Sequence, residues 1–192
     1  MLTRVDAAPY PHPPDTRSPE FSVPGNVPVH TQLWYAVYTR TRHEKSAAQQ
    51  CNQRGITTFL PLYCVQHRWS QRLARVLLPL FPSYVFVRIS LQDRVKVLSV
   101  PGIVSIVSFN GSPAAVPDSQ IEYLNKAMTL GKVQPHTYLR SGKRVRVMAG
   151  PLAGLEGIVV EVKNDVRVIV SFEWMCRSVA ISLDPAEIQA LC

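Results

Sequence analysis

The side chains of this sequence that could carry chemistry are cationic and aromatic, and several of them cluster within residues 67–75. The members of this basic run are His67, Arg68, Trp69, Arg72 and Arg75. Guanidinium groups bind phosphate oxygens and an indole ring stacks on a base, so this composition is typical of a nucleic-acid contact. A solvated basic loop is the alternative that the residues leave open.

The reactive residue types in this sequence and their spacing argue against an enzyme. The 13 acidic residues are scattered, with no carboxylate pair, no nucleophile beside a base and no phosphate-loop glycine pattern. The four cysteines form no Cys-x-x-Cys pair and have no histidines at zinc spacing. We therefore expect no catalytic site, no metal and no cofactor.

Positive charge is concentrated in the middle of the chain. The net charge is −1 over residues 1–33, +8 over residues 34–132 and +1 over residues 133–192. A concentrated positive field attracts polyanions and speeds their encounter. This distribution favours proximity to nucleic acid over a basic surface that serves solubility alone.

The sequence shows no signal for export or membrane insertion. Its start lacks the apolar run of a signal peptide, and no stretch approaches the roughly 20 apolar residues that cross a bilayer. Scattered free thiols are typical of a reducing compartment. We expect a cytoplasmic monomer without membrane contact.

Composition divides the chain into four segments. Residues 1–33 hold seven of the 16 prolines and few large apolar groups, so a disordered tail is predicted. Residues 34–130 are predicted to form an α+β domain, 131–140 a linker and 141–192 a second domain.

The pattern of residues 34–130 predicts a ferredoxin-like α/β sandwich with the order β-α-β-loop-β-α-β-α. Thr41 and Glu44 have the spacing of a capping box for the first helix, and Asp118 is the expected N-cap of the last. The strands are expected at 34–38, 57–65, 83–89 and 104–109, and the helices at 41–54, 92–99 and 118–128.

Both faces of the predicted sheet are apolar, yet the predicted helices are too few to cover both. Alternation places Tyr84 and Phe86 on one face and Val85 and Val87 on the other. An exposed apolar patch of this kind usually marks a partner site. Burial of both faces in the domain's own core is the alternative, and composition favours neither.

The second domain begins with the segment GKRVRVMAGPLAGLEG, residues 142–157. Strict alternation over residues 143–147 indicates a strand, and Gly150-Pro151 indicates a turn. Gly154 and Gly157 permit positive φ or close backbone approach at the entry to the next strand. With the β-branched runs 158–162 and 166–172, the pattern predicts a small SH3-like β-barrel.

These segments together resemble the NusG family. The second domain is similar to the KOW motif at six positions: Gly142, Val145, Gly150, Pro151, Gly154 and Gly157. The first resembles the NGN domain through the segments WYAVY (34–38), FLP (59–61), LFPSYVFV (80–87) and PGIV (101–104). The resemblance covers residues 34–192 and implies a transcription elongation and antitermination factor that rides on RNA polymerase.

Two departures resemble the specialised, RfaH-like antiterminators of polysaccharide operons. Ser83 replaces the usual glycine after Phe-Pro, and residues 108–117 read SFNGSPAAVP. The resemblance therefore implies a paralogue that acts on particular operons.

The resemblance also implies which residues bind the transcription machinery. The clamp coiled coil of RNA polymerase is expected in an apolar pocket formed by Tyr38, Phe81, Pro82, Tyr84 and Phe86. Arg40 and Arg42 match positions near upstream or non-template DNA, where a helix N-terminus adds favourable partial charge for phosphate. The KOW domain, expected to be a constitutive barrel, would recruit a small-subunit ribosomal protein or Rho.

A ribosome-associated RNA-binding protein is the alternative function, because a KOW barrel alone would allow it. The aromatic sheet of the first domain favours the elongation factor. A simple DNA-binding regulator is disfavoured because the sequence contains no recognisable recognition-helix module.

Overall fold

The computed structural model describes residues 31–69, 72–109, 111–131, 133–136, 142, 144–162, 165–172, 175 and 177–191. Most of the predicted tail, residues 1–30, lies outside this range. The helices are α1 (Glu44–Gln53), α2 (Arg94–Leu98) and α3 (Asp118–Thr129). The first strands are β1 (Leu33–Thr39), β2 (Thr57–Phe59), β3 (Leu62–Trp69), β4 (Arg72–Pro79), β5 (Tyr84–Ile89) and β6 (Ile103–Ile106). The remaining strands are β7 (Ser108–Phe109), β8 (Ser112–Pro113), β9 (Ala115–Val116), β10 (Val133–His136), β11 (Arg144–Val147), β12 (Glu156–Val162), β13 (Asp165–Phe172), β14 (Arg177–Leu183) and β15 (Ile188–Ala190).

The first domain is the predicted α+β sandwich. Its sheet has the order β2-β5-β1-β6, and β9 also pairs with β1. The face that carries Tyr35, Val37, Val85 and Val87 is buried with residues of α1 and α2. The expectation of a ferredoxin-like fold is confirmed.

The prediction of a loop between the strands at 57–65 and 83–89 is wrong. The chain forms a two-stranded antiparallel ribbon of β3 and β4, with a register that runs from Leu62↔Pro79 to Trp69↔Arg72. The predicted strand over residues 57–65 is likewise divided at Leu60 and Pro61, because proline has no N–H to continue a ladder. In such a ribbon the backbone N–H and C=O groups of one strand bond to those of the other.

Both helix-cap predictions are also wrong. Helix α1 has His43 as its N-cap and no side-chain cap, because the Glu44 carboxylate instead accepts a hydrogen bond from the distant Ser83 N–H at 2.7 Å. Helix α3 has Pro117 as its N-cap. The Asp118 carboxylate lies in the first turn of α3 and pairs with Arg88 at 3.7 Å.

The second domain is the predicted β-rich unit. Its sheet has the order β10-β14-β13-β12-β11-β15. Val145, Val147, Val168 and Ile181 are buried in its core. The expected SH3-like β fold is confirmed.

Part of the predicted linker, residues 131–140, belongs to this sheet. Strand β10 pairs with β14, with Val133 opposite Ile181 and His136 opposite Ser178. Val133 is buried, and its apolar side chain explains why the segment packs rather than spans. Only residues 130–132 separate the end of α3 from the beginning of β10.

An exposed ion-pair cluster joins β11 to β12. Arg146 Nε donates to Glu156 Oε1 at 2.9 Å, and Arg144 Nη2 lies 3.3 Å from Glu156 Oε2. The hydrogen bond from Arg146 and the charges of both arginines lower the pKa of the Glu156 carboxyl, although desolvation opposes this shift. Because the folded-state pKa is lowered, the contact stabilises the fold above the usual Glu pKa. That stabilisation is lost as the pH falls through the folded-state pKa.

Replacing Arg146 by alanine is expected to raise the pKa of Glu156 toward its ordinary value, because the largest cause of the shift is removed. A carboxyl NMR titration of the full chain measures this change. Arg88→Ala is the matched control, since Arg88 pairs with Asp118 in the first domain. An unchanged Glu156 titration in Arg146→Ala would contradict the assignment.

Candidate functional site

Five aromatic rings lie together on one face of the first-domain sheet, and we call this set the aromatic face: Tyr38, Phe59, Phe81, Tyr84 and Phe86. Sheet register creates it, because Tyr38 is opposite Tyr84 and Phe59 is opposite Phe86. The Tyr38 and Tyr84 ring centroids are 5.5 Å apart at 66°, and those of Phe81 and Phe86 are 5.8 Å apart at 80°. Such edge-to-face pairs fix ring orientation as well as burying area.

The predicted pocket residues differ widely in exposure. Phe81 and Phe86 are 1% and 0% exposed, so both are core side chains of this conformation. Tyr84 is 8% exposed, whereas Tyr38 and Pro82 are partly exposed. Sequence reasoning missed Phe59, although the segment FLP carried it, because its register opposite Phe86 is not a local feature.

The turn before β5 holds Phe81 and Tyr84 in place. Ser83 has φ 67, in the left-handed region that glycine normally occupies. Its N–H donates to the Glu44 carboxylate at 2.7 Å, and its carbonyl accepts from the Thr39 N–H at 2.8 Å. The Tyr84 N–H donates to the Phe81 carbonyl at 3.1 Å, so three hydrogen bonds hold the turn in place.

The chain's own second domain covers the aromatic face. A single buried apolar cluster includes Phe81, Tyr84 and Phe86 together with second-domain residues such as Val133 and Val179. The Arg177 guanidinium carbon lies 5.9 Å from the Tyr84 ring centroid, within range of a cation–π contact. The face is therefore neither an open patch nor the core of the first domain alone.

Helix α3 also joins the two domains. The Tyr123 hydroxyl donates to the Ala153 carbonyl at 3.3 Å. A Cβ at Gly154, which has φ +90, would lie 2.8 Å from the Tyr123 hydroxyl oxygen. This motif glycine therefore serves a tight turn and a close approach at once.

The other predicted motif positions take structural roles. Val145 is buried in the second-domain core, whereas Gly142, Gly150 and Pro151 are exposed. Gly157 lies in β12, where an added Cβ would be 2.6 Å from the Ile169 carbonyl oxygen. These positions shape the second domain.

The predicted nucleic-acid residues fall into two groups. Arg40 and Arg42 are exposed just before α1, and Arg42 has φ 66. The side chains of His67, Arg68, Trp69 and Arg72 lie outside the described residues, although the backbone at these positions belongs to the ribbon. Lys45 Nζ donates to the Leu77 carbonyl at 2.8 Å and so joins the first turn of α1 to the ribbon.

Within the described part of the chain, no group of three or more His, Cys, Asp or Glu residues could hold a metal ion. No helix in that same part is long and apolar enough to cross a membrane.

The fold and motifs define a two-domain protein with an NGN-type sheet domain and a KOW domain. Residues 32–125 match the family model described as transcription termination factor NusG, and residues 141–171 match the KOW motif. The first domain is therefore of the NusG type, and the second carries a KOW motif.

Individual relatives agree with this assignment. The transcription termination/antitermination protein NusG of Escherichia coli K12 is 30% identical over 115 residues, which cover 57% of this chain and 64% of that protein. NusG of Thermus thermophilus is 28% identical over 179 residues, or 81% of this chain and 96% of that protein. A solved structure on domain interaction in Thermotoga maritima NusG has a TM-score of 0.54 at 22% identity and covers 83% of this chain and 97% of that one.

Proposed function

We propose that this protein is a transcription elongation and antitermination factor that binds RNA polymerase through its aromatic face. The observation that carries the proposal is the cluster of five rings that the strands β1, β2 and β5 and the turn before β5 bring together. Aromatic anchor residues carry much of the binding energy of protein interfaces. The names of the relatives, which are termination and antitermination proteins, support the same function.

The proposed partner is the clamp coiled coil of the polymerase. A factor of this kind acts without catalysis, since a bound protein shifts a conformational equilibrium through its different affinities for the two states. Here the favoured state would be the processive polymerase.

Three finer proposals accompany this one. Ser83 and the segment SFNGSPAAVP support action on particular operons. The exposed Arg40 and Arg42 are proposed to contact upstream or non-template DNA. The KOW domain is proposed to recruit a small-subunit ribosomal protein or Rho, and the protein is proposed to act as a cytoplasmic monomer.

Replacing Tyr38 by alanine in the full chain is expected to weaken binding to purified RNA polymerase by about 10- to 30-fold, the effect of a typical hot-spot residue. Tyr38 is chosen because it is partly exposed and packs edge-on against Tyr84. Tyr38→Phe keeps the ring and should bind within about threefold of the native chain. Titration by fluorescence anisotropy measures both variants.

The opposite outcome is equally clear. If the native chain does not bind polymerase and sediments with ribosomes instead, the ribosome-associated function replaces this proposal.

A further inference from the structure

The turn before β5 is a type II β-turn formed by Phe81, Pro82, Ser83 and Tyr84. Its closing hydrogen bond runs from the Tyr84 N–H to the Phe81 carbonyl at 3.1 Å. Pro82 occupies the second position, where its fixed φ suits turns of types I and II. Ser83 occupies the third position with φ 67. Because a type I turn has a negative φ at the third position, the positive φ of Ser83 identifies type II.

Serine does not favour this turn type by itself. The third position of a type II turn usually holds glycine or asparagine, because a Cβ atom disfavours positive φ. Types I and II differ by a rotation of the central peptide group, which here joins Pro82 to Ser83. That rotation reverses the direction of the Ser83 N–H. With serine at the third position, a contact to this peptide is therefore needed to keep the turn in type II.

Glu44 provides such a contact. The Ser83 N–H belongs to the central peptide and donates to the Glu44 carboxylate at 2.7 Å. Rotation of the peptide to type I would turn this N–H away from the carboxylate. Glu44 and Ser83 are 5% and 7% exposed, so water has little access to replace the lost partner. A hydrogen bond to an ionised carboxylate is also stronger than one between neutral groups. The contact therefore favours type II.

The other hydrogen bond of Ser83 does not select the turn type. Its carbonyl accepts from the Thr39 N–H at 2.8 Å and so joins the turn to β1. This carbonyl belongs to the peptide that follows Ser83 and not to the central one. The Glu44 carboxylate is the acceptor of the central N–H, and α1 holds it in place because Ala47 and Ala48 of that helix are buried against the sheet.

The turn type matters because residues of the turn belong to the aromatic face. Phe81, at the first position, lies edge-on to Phe86 with ring centroids 5.8 Å apart. Tyr84, at the fourth position, lies edge-on to Tyr38 at 5.5 Å. Pro82 is partly exposed at the second position, between these two ring pairs in sequence. A rotated central peptide would change the direction of the backbone that carries both rings.

We propose that Glu44 is a positioning residue of the aromatic face: its carboxylate holds the Pro82–Ser83 peptide in the type II orientation and so sets the geometry that a partner meets. Glu44 acts through the turn, since it is buried and bonded to Ser83. This inference rests on the proposed function only for the identity of the partner.

The turn type is measured by NMR in the full chain without a partner. A type II turn places the Pro82 Hα close to the Ser83 N–H, whereas a type I turn does not, because ψ of the second residue differs. The native chain should give a strong nuclear Overhauser effect between these two protons, and Glu44→Ala should lose most of it. Adding Ser83→Gly to Glu44→Ala should restore it, since glycine adopts positive φ without strain. Glu44→Gln keeps an uncharged acceptor and should give an intermediate signal.

Ala48→Gly is the matched control. It weakens α1 by removing a good helix former but leaves the contact between Glu44 and Ser83 in place. Its signal between Pro82 and Ser83 should equal that of the native chain. An unchanged signal in Glu44→Ala, or in Glu44→Gln if Glu44→Ala does not fold, would overturn the proposal.

Polymerase binding tests the consequence for the aromatic face. Glu44→Ala should bind purified RNA polymerase about 10-fold more weakly, because only a minor fraction of the chains then holds the competent turn. The double variant with Ser83→Gly and the control Ala48→Gly should both bind within about threefold of the native chain. A rotated peptide with native affinity would refute the positioning role. If the native chain does not bind polymerase at all, the proposed function fails, whereas the NMR signal still decides whether Glu44 holds the turn.

Discussion

Replacing Glu44 by alanine is expected to lower the free energy of unfolding by about 2–3 kcal/mol. Glu44 is 5% exposed, and its carboxylate accepts the hydrogen bond of the Ser83 N–H, itself in a residue that is 7% exposed. The substitution leaves a buried donor without its charged acceptor. It also releases a serine that the contact holds at φ 67, a conformation that costs a non-glycine residue about 1–2 kcal/mol. Urea unfolding of the full chain measures the loss.

Two further variants isolate the cause. Glu122→Ala removes an exposed carboxylate from α3 and should change stability by less than about 0.5 kcal/mol. Glu44→Ala in a Ser83→Gly background should cost less than it does alone, because glycine adopts positive φ without strain. Equal losses for Glu44→Ala and Glu122→Ala would show that the buried contact contributes nothing.

The contact between Glu44 and Ser83 illustrates what the sequence cannot show. Thr41 and Glu44 have capping-box spacing, so local reasoning assigns Glu44 to its own helix. The actual partner is 39 residues away and is fixed by how α1 packs beside the turn before β5. The serine at position 83, where the family usually has glycine, was visible in the sequence. The hydrogen bond from its N–H to Glu44 was not.

The types of the two domains were far easier to predict from the sequence than this contact. Alternation in β1 and β5 fixed which residues share a face, and the glycine spacing of residues 142–157 specified the second domain. What covers the aromatic face was not predictable, since periodicity records that a face is apolar and not which element buries it. Arg177, about a hundred residues further along the chain, lies over the Tyr84 ring, and Val179 belongs to the same buried apolar cluster as the rings.

The prediction of a linker over residues 131–140 was wrong for a related reason. Gln134, Pro135 and His136 have the composition of a linker, and only Val133 is apolar. Its strand conformation is imposed by the free edge of β14, which supplies backbone partners to a sequence with little strand propensity of its own.

Gly157→Ala is expected to destabilise the second domain by about 2–3 kcal/mol, the cost of overpacking a well-filled core. The new Cβ would lie 2.6 Å from the Ile169 carbonyl oxygen and 2.6 Å from Val168 Cγ1. Neither neighbour can yield, because Val168 and Ile169 are 0% and 1% exposed and both belong to the β12–β13 ladder. Thermal unfolding followed by circular dichroism measures the change.

Gly55→Ala is the control that separates steric overlap from backbone strain. Gly55 has φ +75 and nothing within 4 Å of an added Cβ, so only the left-handed conformation is penalised, by about 1–2 kcal/mol. Because Gly55 lies in the first domain, its substitution should leave amide exchange in β12 and β13 unchanged, whereas Gly157→Ala should accelerate it. A second domain that unfolds can no longer cover Tyr84, so Gly157→Ala should also accelerate exchange at the turn before β5. Slow exchange at that turn in a chain whose second domain has unfolded would show that the first domain buries the aromatic face by itself.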